Sequence, residues 1–110
     1  MESSFAIIAE PNRRNILRLL ASSERSVGEL EHSLRMPQTS VSKHLRVLRE
    51  AGLVEARVDA QRRVYRIRPE PLREIDEWLA PFRKLWTEHV DALDRHLDQM
   101  ERSETKGEKR

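Results

Sequence analysis

The sequence predicts a mainly helical domain that contains a small β-hairpin. Several short segments carry apolar residues three or four positions apart, as amphipathic helices do, and two runs rich in Val, Tyr and Ile surround a polar segment, as hairpin strands do. The chain has 110 residues, of which 37% are apolar and 36% are charged. Those proportions allow one domain with a thin core and a charged surface, but no large enzyme cleft.

The N-terminal region predicts one helix after a short apolar segment. Residues 5–9 are apolar, and Glu10-Pro11-Asn12 follows them. Proline suits the first position of a helix, because its missing N–H needs no partner there. The helix that starts at this point carries four apolar residues before the polar break at residues 21–24, namely Ile16, Leu17, Leu19 and Leu20.

Two further helices are predicted from caps and periodicity. Ser26 and Glu29 have the Ser-x-x-Glu spacing of a capping box, which starts a short helix that ends before Met36-Pro37. The next helix spans Gln38 to Ala51, and Gly52 ends it. Its apolar residues Val41, Leu45 and Leu48 lie within roughly 60° of one another on a helical wheel, so they predict its buried side.

A two-stranded hairpin and a long amphipathic segment follow. The predicted strands are 53–58 and 63–68, and the polar segment 59–62 connects them. From Leu72 to about Met100 the apolar positions follow the alternating steps of a heptad seam, with histidines in two places. The seam positions are 72, 75, 79, 82, 86, 89, 93, 96 and 100. Proline lacks an N–H and its ring clashes with the preceding turn, so Pro81 predicts a kink or a break between two helical pieces.

The domain is predicted to span residues 1–101, followed by a disordered polar tail at 102–110. The tail, RSETKGEKR, contains no apolar residue that could compensate for the entropy lost on ordering. The first residues have neither a basic start nor a long apolar stretch, and no run approaches the length of a membrane span. We therefore expect a cytoplasmic protein that does not enter a membrane.

The charges are distributed unevenly, although the formal net charge is only +2. Residues 35–69 contain 9 basic and 3 acidic side chains, whereas residues 70–101 contain 4 basic and 9 acidic ones. A local basic field attracts a polyanion, so the central block is the candidate nucleic-acid surface.

The order of these elements matches a helix-turn-helix followed by a wing, in which the second helix enters the major groove of DNA. On the helix 38–51, amide and hydroxyl groups are suited to base edges, while the cations are suited to phosphates. The hairpin tip adds two arginines that could reach the neighbouring backbone or the minor groove. The candidate DNA-contacting residues are Gln38, Thr39, Ser40, Ser42, Lys43, His44, Arg46, Arg49, Arg62 and Arg63. The segments PNRRNILRLL, SVGELEHSL, QTSVSKHLRVLREAGLVEARV and RRVYRIRP carry these elements.

With those four segments the chain resembles the ArsR/SmtB family of winged-helix bacterial repressors over roughly residues 5 to 100. The resemblance implies a homodimer held by the N-terminal and C-terminal helices, an operator with dyad symmetry, and release of transcription when an effector weakens binding. The implied dimer contacts are Phe5, Ile8, Leu79, Phe82, Trp86, His89, Leu93 and His96. Two positions depart from the family pattern: Pro37 replaces a common capping Ser, and the hairpin tip lacks the frequent Gly.

The sequence gives little support for a metal site. Many members of the family sense metals through cysteines on the helix that corresponds to residues 26–34, but this chain has no cysteine. Others use Asp-x-His and a second pair about ten residues later; Asp94 and His96 match the first half, but residue 107 is Gly. His89 and His96 would lie about 10 Å apart along one helix, too far to share an ion within a chain. We therefore expect no metal or cofactor, with an inter-subunit His/Asp site in a metal-responsive repressor as an alternative.

Other classes of function are less well supported. The chain contains no phosphate-binding Gly-rich loop, nucleophile elbow or paired-His zinc motif, so an enzyme is not expected. A single-strand or RNA binder needs aromatic stacking platforms, and the basic block contains only Tyr65. One alternative from a different class is a protein-interaction module that recruits a helical partner through the C-terminal seam.

Overall fold

A computed structural model describes the backbone of residues 3–108 and the side chains of residues 3–101. The chain forms two compact units, one that ends at Ile75 and one that starts at Asp76. The described elements, in chain order, are α1 (Ser4–Ile8), α2 (Pro11–Ser22), β1 (Arg25–Ser26), α3 (Val27–Leu34), α4 (Gln38–Glu50), β2 (Val54–Asp59), β3 (Arg62–Ile67), a 3₁₀ turn (Glu70–Leu72) and α5 (Arg73–Glu108). This arrangement confirms the mainly helical fold class with a small antiparallel sheet.

The N-terminal apolar segment forms a helix of its own, which the sequence did not predict. The hydroxyl of Ser3 accepts a hydrogen bond from the amide of Ala6 and caps α1. Arg13 donates to the carbonyl of Ile7 at 2.7 Å, so a side chain of α2 satisfies a free carbonyl of α1. Pro11 occupies the first turn of α2, as predicted. The helix continues through part of the predicted polar break and ends at Ser22.

The predicted capping box at the start of α3 is confirmed. The amide of Glu29 donates to the hydroxyl of Ser26 at 3.2 Å, and the amide of Ser26 donates to the carboxylate of Glu29 at 3.0 Å. The helix ends at Arg35, whose φ of 54° places it in the left-handed region. This residue turns the chain towards α4 without a glycine.

Helix α4 begins at Gln38 and ends just before Gly52, as predicted. The amide of Leu53 donates to the carbonyl of Leu48 at 2.9 Å, and the amide of Gly52 donates to the carbonyl of Arg49 at 3.0 Å. These two bonds form a Schellman motif, which needs a left-handed residue, and Gly52 has a φ of 78°. At the other end Pro37 provides no side-chain hydrogen bond to the first amides.

The sheet has three described strands instead of the predicted two, in the order β1-β3-β2 with antiparallel pairing. The extra strand is the two-residue β1, in which Arg25 pairs with Tyr65 and Ser26 with Val64. In the hairpin Val54 pairs with Ile67 and Asp59 with Arg62, so the turn contains only residues 60 and 61. The predicted four-residue connection is therefore too long, because both ends of that polar segment join the ladder.

The core lies in the first unit, between α2, α3, α4 and the sheet. All three predicted apolar residues of α4, Val41, Leu45 and Leu48, are fully buried. The other buried core residues are Ile7, Ile16, Leu17, Leu20, Leu30, Leu53, Val54 and Tyr65. Buried Ser4 donates to the carbonyl of Pro71 at 3.0 Å and ties α1 to the segment that precedes α5. The opposite side of α4 is left at the surface.

Helix α5 is continuous through Pro81, so the expected break into two pieces is wrong. Proline removes one hydrogen bond, to the carbonyl of Glu77, but Glu77 is exposed and water can satisfy that carbonyl. The helix reaches Glu108, within the segment 102–110 that is predicted to be disordered. The side chains of this segment lie outside the described residues, and its disorder stays a prediction. No helix in the described part of the chain is both long and apolar enough to span a membrane.

Candidate nucleic-acid interface

The candidate interface is built on the exposed side of α4. Because Val41, Leu45 and Leu48 face the core, the polar residues about 100° to 180° away on the helix face solvent. A shallow groove runs along this side. Its lining residues include Gln38, Thr39, Ser42, Lys43 and Arg46, which the sequence predicted, together with Val47 and Glu50.

Three predicted residues of α4 do not line this groove, and they are Ser40, His44 and Arg49. Ser40 and His44 are partly buried. The imidazole Nδ1 of His44 lies 3.9 Å from the carboxylate of Glu10, at the start of α2, and has no hydrogen-bond partner among the described residues. His44 therefore contacts the start of α2 and not the groove.

The hairpin forms the wing, and ion pairs connect it to the segment before β1 and to α3. Arg57 on β2 donates from Nε and Nη2 to the two carboxylate oxygens of Glu24, each at 3.1 Å. Arg62, at the tip, lies 3.9 Å from the carboxylate of Glu29 and 3.7 Å from that of Asp59. Arg62 is therefore close to two negative charges, although the sequence assigned it to DNA.

Two of these carboxylates have a lowered pKa. The hydrogen bond from Arg57, together with its charge, holds the pKa of Glu24 below its ordinary value of 4.5, even though desolvation opposes this, and raises the pKa of Arg57. The amide and hydroxyl of Ser26 do the same for the pKa of Glu29, with a smaller contribution from the charge of Arg62. Both carboxylates are ionised at neutral pH and neutralise wing arginines.

The basic block thus divides into paired and unpaired cations. Arg66 pairs with Glu55, and Arg68 lies 4.0 Å from Glu55 and 3.9 Å from Glu70. Within the described part of the chain, five cationic side chains of the block have no ion pair or hydrogen bond, and they are Arg35, Lys43, Arg46, Arg49 and Arg63. Four of these five were predicted DNA contacts. The pairing cannot be predicted from the residue order alone, because it depends on which side chains the sheet register brings together.

In the second unit, α5 exposes a broad apolar face. Phe82, Trp86 and Leu93 are 40%, 44% and 49% exposed, and the ring of Trp78 packs against that of Phe82 with centroids 4.9 Å apart. Leu85, Val90 and Leu97 are also exposed, although the heptad reading omitted them. At about 100° per residue, the face covers an arc of about 140°, which is wider than a two-stranded coiled-coil seam.

The remaining predicted dimer residues lie beside these or in the first unit. Leu79, Phe5 and Ile8 are partly buried, and Ile8 packs against the core. His89 and His96 are exposed on α5. Across the described residues, no group of three or more His, Asp or Glu side chains is arranged to hold a metal ion.

A helix-turn-helix with an exposed polar second helix and an adjoining wing defines the winged-helix class of transcriptional regulators. These are not enzymes. The model of the family described as "Bacterial regulatory protein, arsR family" matches residues 10–56. The chain belongs to this family, as its resemblance to known members predicted.

Individual relatives agree with this assignment. The biofilm growth-associated repressor of Agrobacterium fabrum is 40% identical over 72 residues, which cover 66% of this chain and 62% of that protein. The HTH-type transcriptional regulator Rv2034 of Mycobacterium tuberculosis is 33% identical over 97 residues, 88% of each chain. A crystal structure of a possible transcriptional regulator for arsenical resistance matches with a TM-score of 0.68 and 36% identity, covering 74% of this chain and 85% of that one.

Proposed function

We propose that the protein is a homodimeric, sequence-specific repressor that acts in the cytoplasm by occluding a promoter. The observation that carries the proposal is the cationic surface of α4, where Lys43, Arg46 and Arg49 have no acidic partner among the described residues. When unpaired cations on an exposed helix neutralise phosphates, the counterions condensed on the DNA are released, which favours binding.

In this proposal α4 lies in the major groove and divides its contacts by chemistry. Gln38, Thr39 and Ser42 offer amide and hydroxyl groups to base edges from the first turns of the helix. Lys43, Arg46, Arg49 and, from the wing, Arg63 contact phosphates. Arg62 joins them at the tip once DNA competes with Glu29 and Asp59 for its guanidinium group. We propose that Ser40 and His44, which are partly buried, help to hold α4 against the rest of the domain.

Dimerisation would pair the apolar face of α5 with that of a second copy, with further contacts from Phe5, Ile8 and Leu79 and from the exposed His89 and His96. Contact between this apolar face and water is unfavourable, so in the proposed dimer a second copy covers the face. Two copies would place two α4 helices on one face of the duplex, with half-sites about 34 Å apart or a multiple of that distance.

The test is selection of bound sequences from a random duplex library, followed by footprinting of the selected duplex. We expect a dyad-symmetric consensus and protection of two half-sites. Retention of random and selected duplexes with equal affinity would contradict sequence-specific binding, and a footprint without dyad symmetry would contradict the dimer.

The exposed apolar face of α5 also fits the second candidate, a module that recruits a helical protein. Sedimentation of the purified chain, with and without duplex DNA, distinguishes the two candidate functions. A dimer that binds duplex DNA supports the repressor, whereas a monomer that binds no duplex at low salt supports recruitment of a helical partner.

A further inference from the structure

A second cleft, of about 550 Å³, lies between α4 and β3. Arg46 and Arg49 line it from the helix and Arg63 from the hairpin, and Gln38 and Ser42 contribute polar groups. Glu50 is the one carboxylate among its described lining residues, so three arginines against one glutamate leave a formal charge of +2. None of the three arginines has an acidic partner among the described residues, so the cleft is an electropositive site that is available to an anion.

Tyr65 also lines this cleft, and it was not among the residues that the sequence assigned to DNA. The residue is only 6% exposed, because its ring belongs to the core. Buried tyrosines usually find a hydrogen-bond partner for the hydroxyl, but Tyr65 has none among the described residues. His44 Nδ1 is an unpaired atom that is fully enclosed, whereas the oxygen of Tyr65 is unpaired but not fully enclosed. The hydroxyl is therefore an unsatisfied donor that is not fully enclosed, and it is carried by a fixed ring of a residue that lines the cleft.

We propose that this cleft binds one backbone phosphate of DNA and that Tyr65 donates a hydrogen bond to a non-bridging oxygen of that phosphate. The inference rests on the proposed function and deepens it. A phosphodiester carries one negative charge and two acceptor oxygens, which suits guanidinium groups and a phenol together. Because the core fixes the ring, the phosphate that Tyr65 holds sets the position of the backbone between α4 and the wing, whatever the base sequence.

The test compares the wild type with Tyr65→Phe, which keeps the ring and removes only the hydroxyl. On the selected duplex and on a scrambled duplex, we expect the same loss of affinity, of roughly tenfold, since one hydrogen bond to a charged acceptor is removed. The salt dependence should stay unchanged, because a neutral hydroxyl displaces no counterion. Thr39→Val is the matched contrast, and it should alter the preference between the two duplexes.

A second measurement identifies the phosphate. Replacing single phosphates of the selected duplex by neutral methylphosphonates should weaken wild-type binding strongly at one position in each half-site. When that phosphate is neutral, Tyr65→Phe should cause no additional loss of affinity. When any other phosphate is neutral, the substitution should still weaken binding. This measurement on the wild type tests the cleft even if the variant folds poorly, which thermal unfolding would reveal.

The outcomes separate this inference from the proposed function. A wild type that binds no duplex contradicts both. Two outcomes would contradict the phosphate contact alone when the wild type binds duplex DNA. In the first, Tyr65→Phe binds within twofold of the wild type. In the second, the losses from Tyr65→Phe and from the methylphosphonate add at every phosphate position. Inorganic phosphate that binds the free protein through Tyr65, with DNA affinity unaffected by the substitution, would assign the cleft to a free phosphate instead of the DNA backbone.

Discussion

At the scale of single residues, the partners of each arginine matter more than the number of arginines. Arg66 and Arg46 have the same side chain and belong to the same basic block. Arg66 is paired with Glu55, whereas Arg46 has no partner among the described residues and faces both grooves of α4. Only an unpaired cation gains a new ionic contact without losing an old one.

This difference predicts unequal effects on the salt dependence of DNA binding. Replacing Arg46 by Gln should reduce the slope of log K against log salt by about 0.9 per subunit, since one phosphate contact is lost. Arg66→Gln, the matched control, should leave the slope unchanged. Binding titrations at several salt concentrations measure both slopes, and equal slopes for the two variants would contradict the division into paired and unpaired cations.

Ala60 gives a prediction for stability at the same scale. It occupies the hairpin turn with a φ of 58°, a region that an L side chain adopts at a cost. Ala60→Gly should raise the free energy of unfolding by about 1 kcal/mol. Ala56→Gly, in β2, should lower it by about 0.5–1 kcal/mol, because glycine has more freedom to lose in a strand. Denaturant titration distinguishes the two signs, and a destabilised Ala60→Gly would show that its methyl group is needed for packing.

At the scale of elements, α3 depends on the charge of Glu29. Its pKa is lowered in the folded state by the amide and hydroxyl of Ser26, so ionised Glu29 stabilises the fold above its ordinary pKa of 4.5. That contribution is lost as the pH falls below 4.5 and through the lowered pKa. The sign follows because the unfolded chain binds the proton more readily than the folded one.

Glu29→Gln should therefore flatten the acid side of the stability profile. Glutamine still accepts a hydrogen bond from the amide of Ser26, but it does not titrate. Thermal unfolding measured between neutral and acidic pH should show a smaller fall in Tm than in the wild type. Glu31→Gln is the control in the same helix, since the carboxylate of Glu31 has no described partner. A profile for Glu29→Gln that parallels the wild type would contradict the role of the charge.

The elements that sequence predicts well are those whose signals are local. The capping box at Ser26, the end of α4 at Gly52 and the buried stripe of α4 each depend on residues a few positions apart. Strand β1 was missed because two residues carry no periodicity, and only their pairing with β3 makes them a strand. The continuity of α5 was missed because the cost of Pro81 depends on whether the carbonyl it frees can meet water.

The same distinction applies to the candidate interface. Polar residue types on α4 were predicted from the side of the helix that they share. The pairing of Arg57 with Glu24, which lie 33 positions apart, and the place of Tyr65 between core and cleft arise from the sheet register. Sequence reasoning without the fold has no access to such contacts.

At the scale of the whole molecule, the exposed face of α5 predicts self-association. Leu93→Glu would place a charge in the middle of that face, which a second copy could not cover without leaving the charge unpaired. We expect a monomer in sedimentation velocity and a marked loss of affinity for a two-half-site duplex. Arg95→Glu lies on the opposite side of the helix and should remain dimeric. A dimeric Leu93→Glu protein would exclude this face as the interface.

The two-residue strand β1 has a mechanical consequence for the wing. It pairs the capped start of α3 with Val64 and Tyr65 of the hairpin, and the tip lies about three residues, or about 10 Å, beyond these pairs. A pivot of about 10° at Arg25 and Ser26 would move the hairpin tip by about 1.7 Å, which is enough to lengthen a hydrogen bond past its usual limit of about 3.2 Å. In the proposed DNA complex, loosening these two residue pairs would move the tip away from the phosphates while α4 stays folded, so the wing contacts would be lost separately from the base contacts.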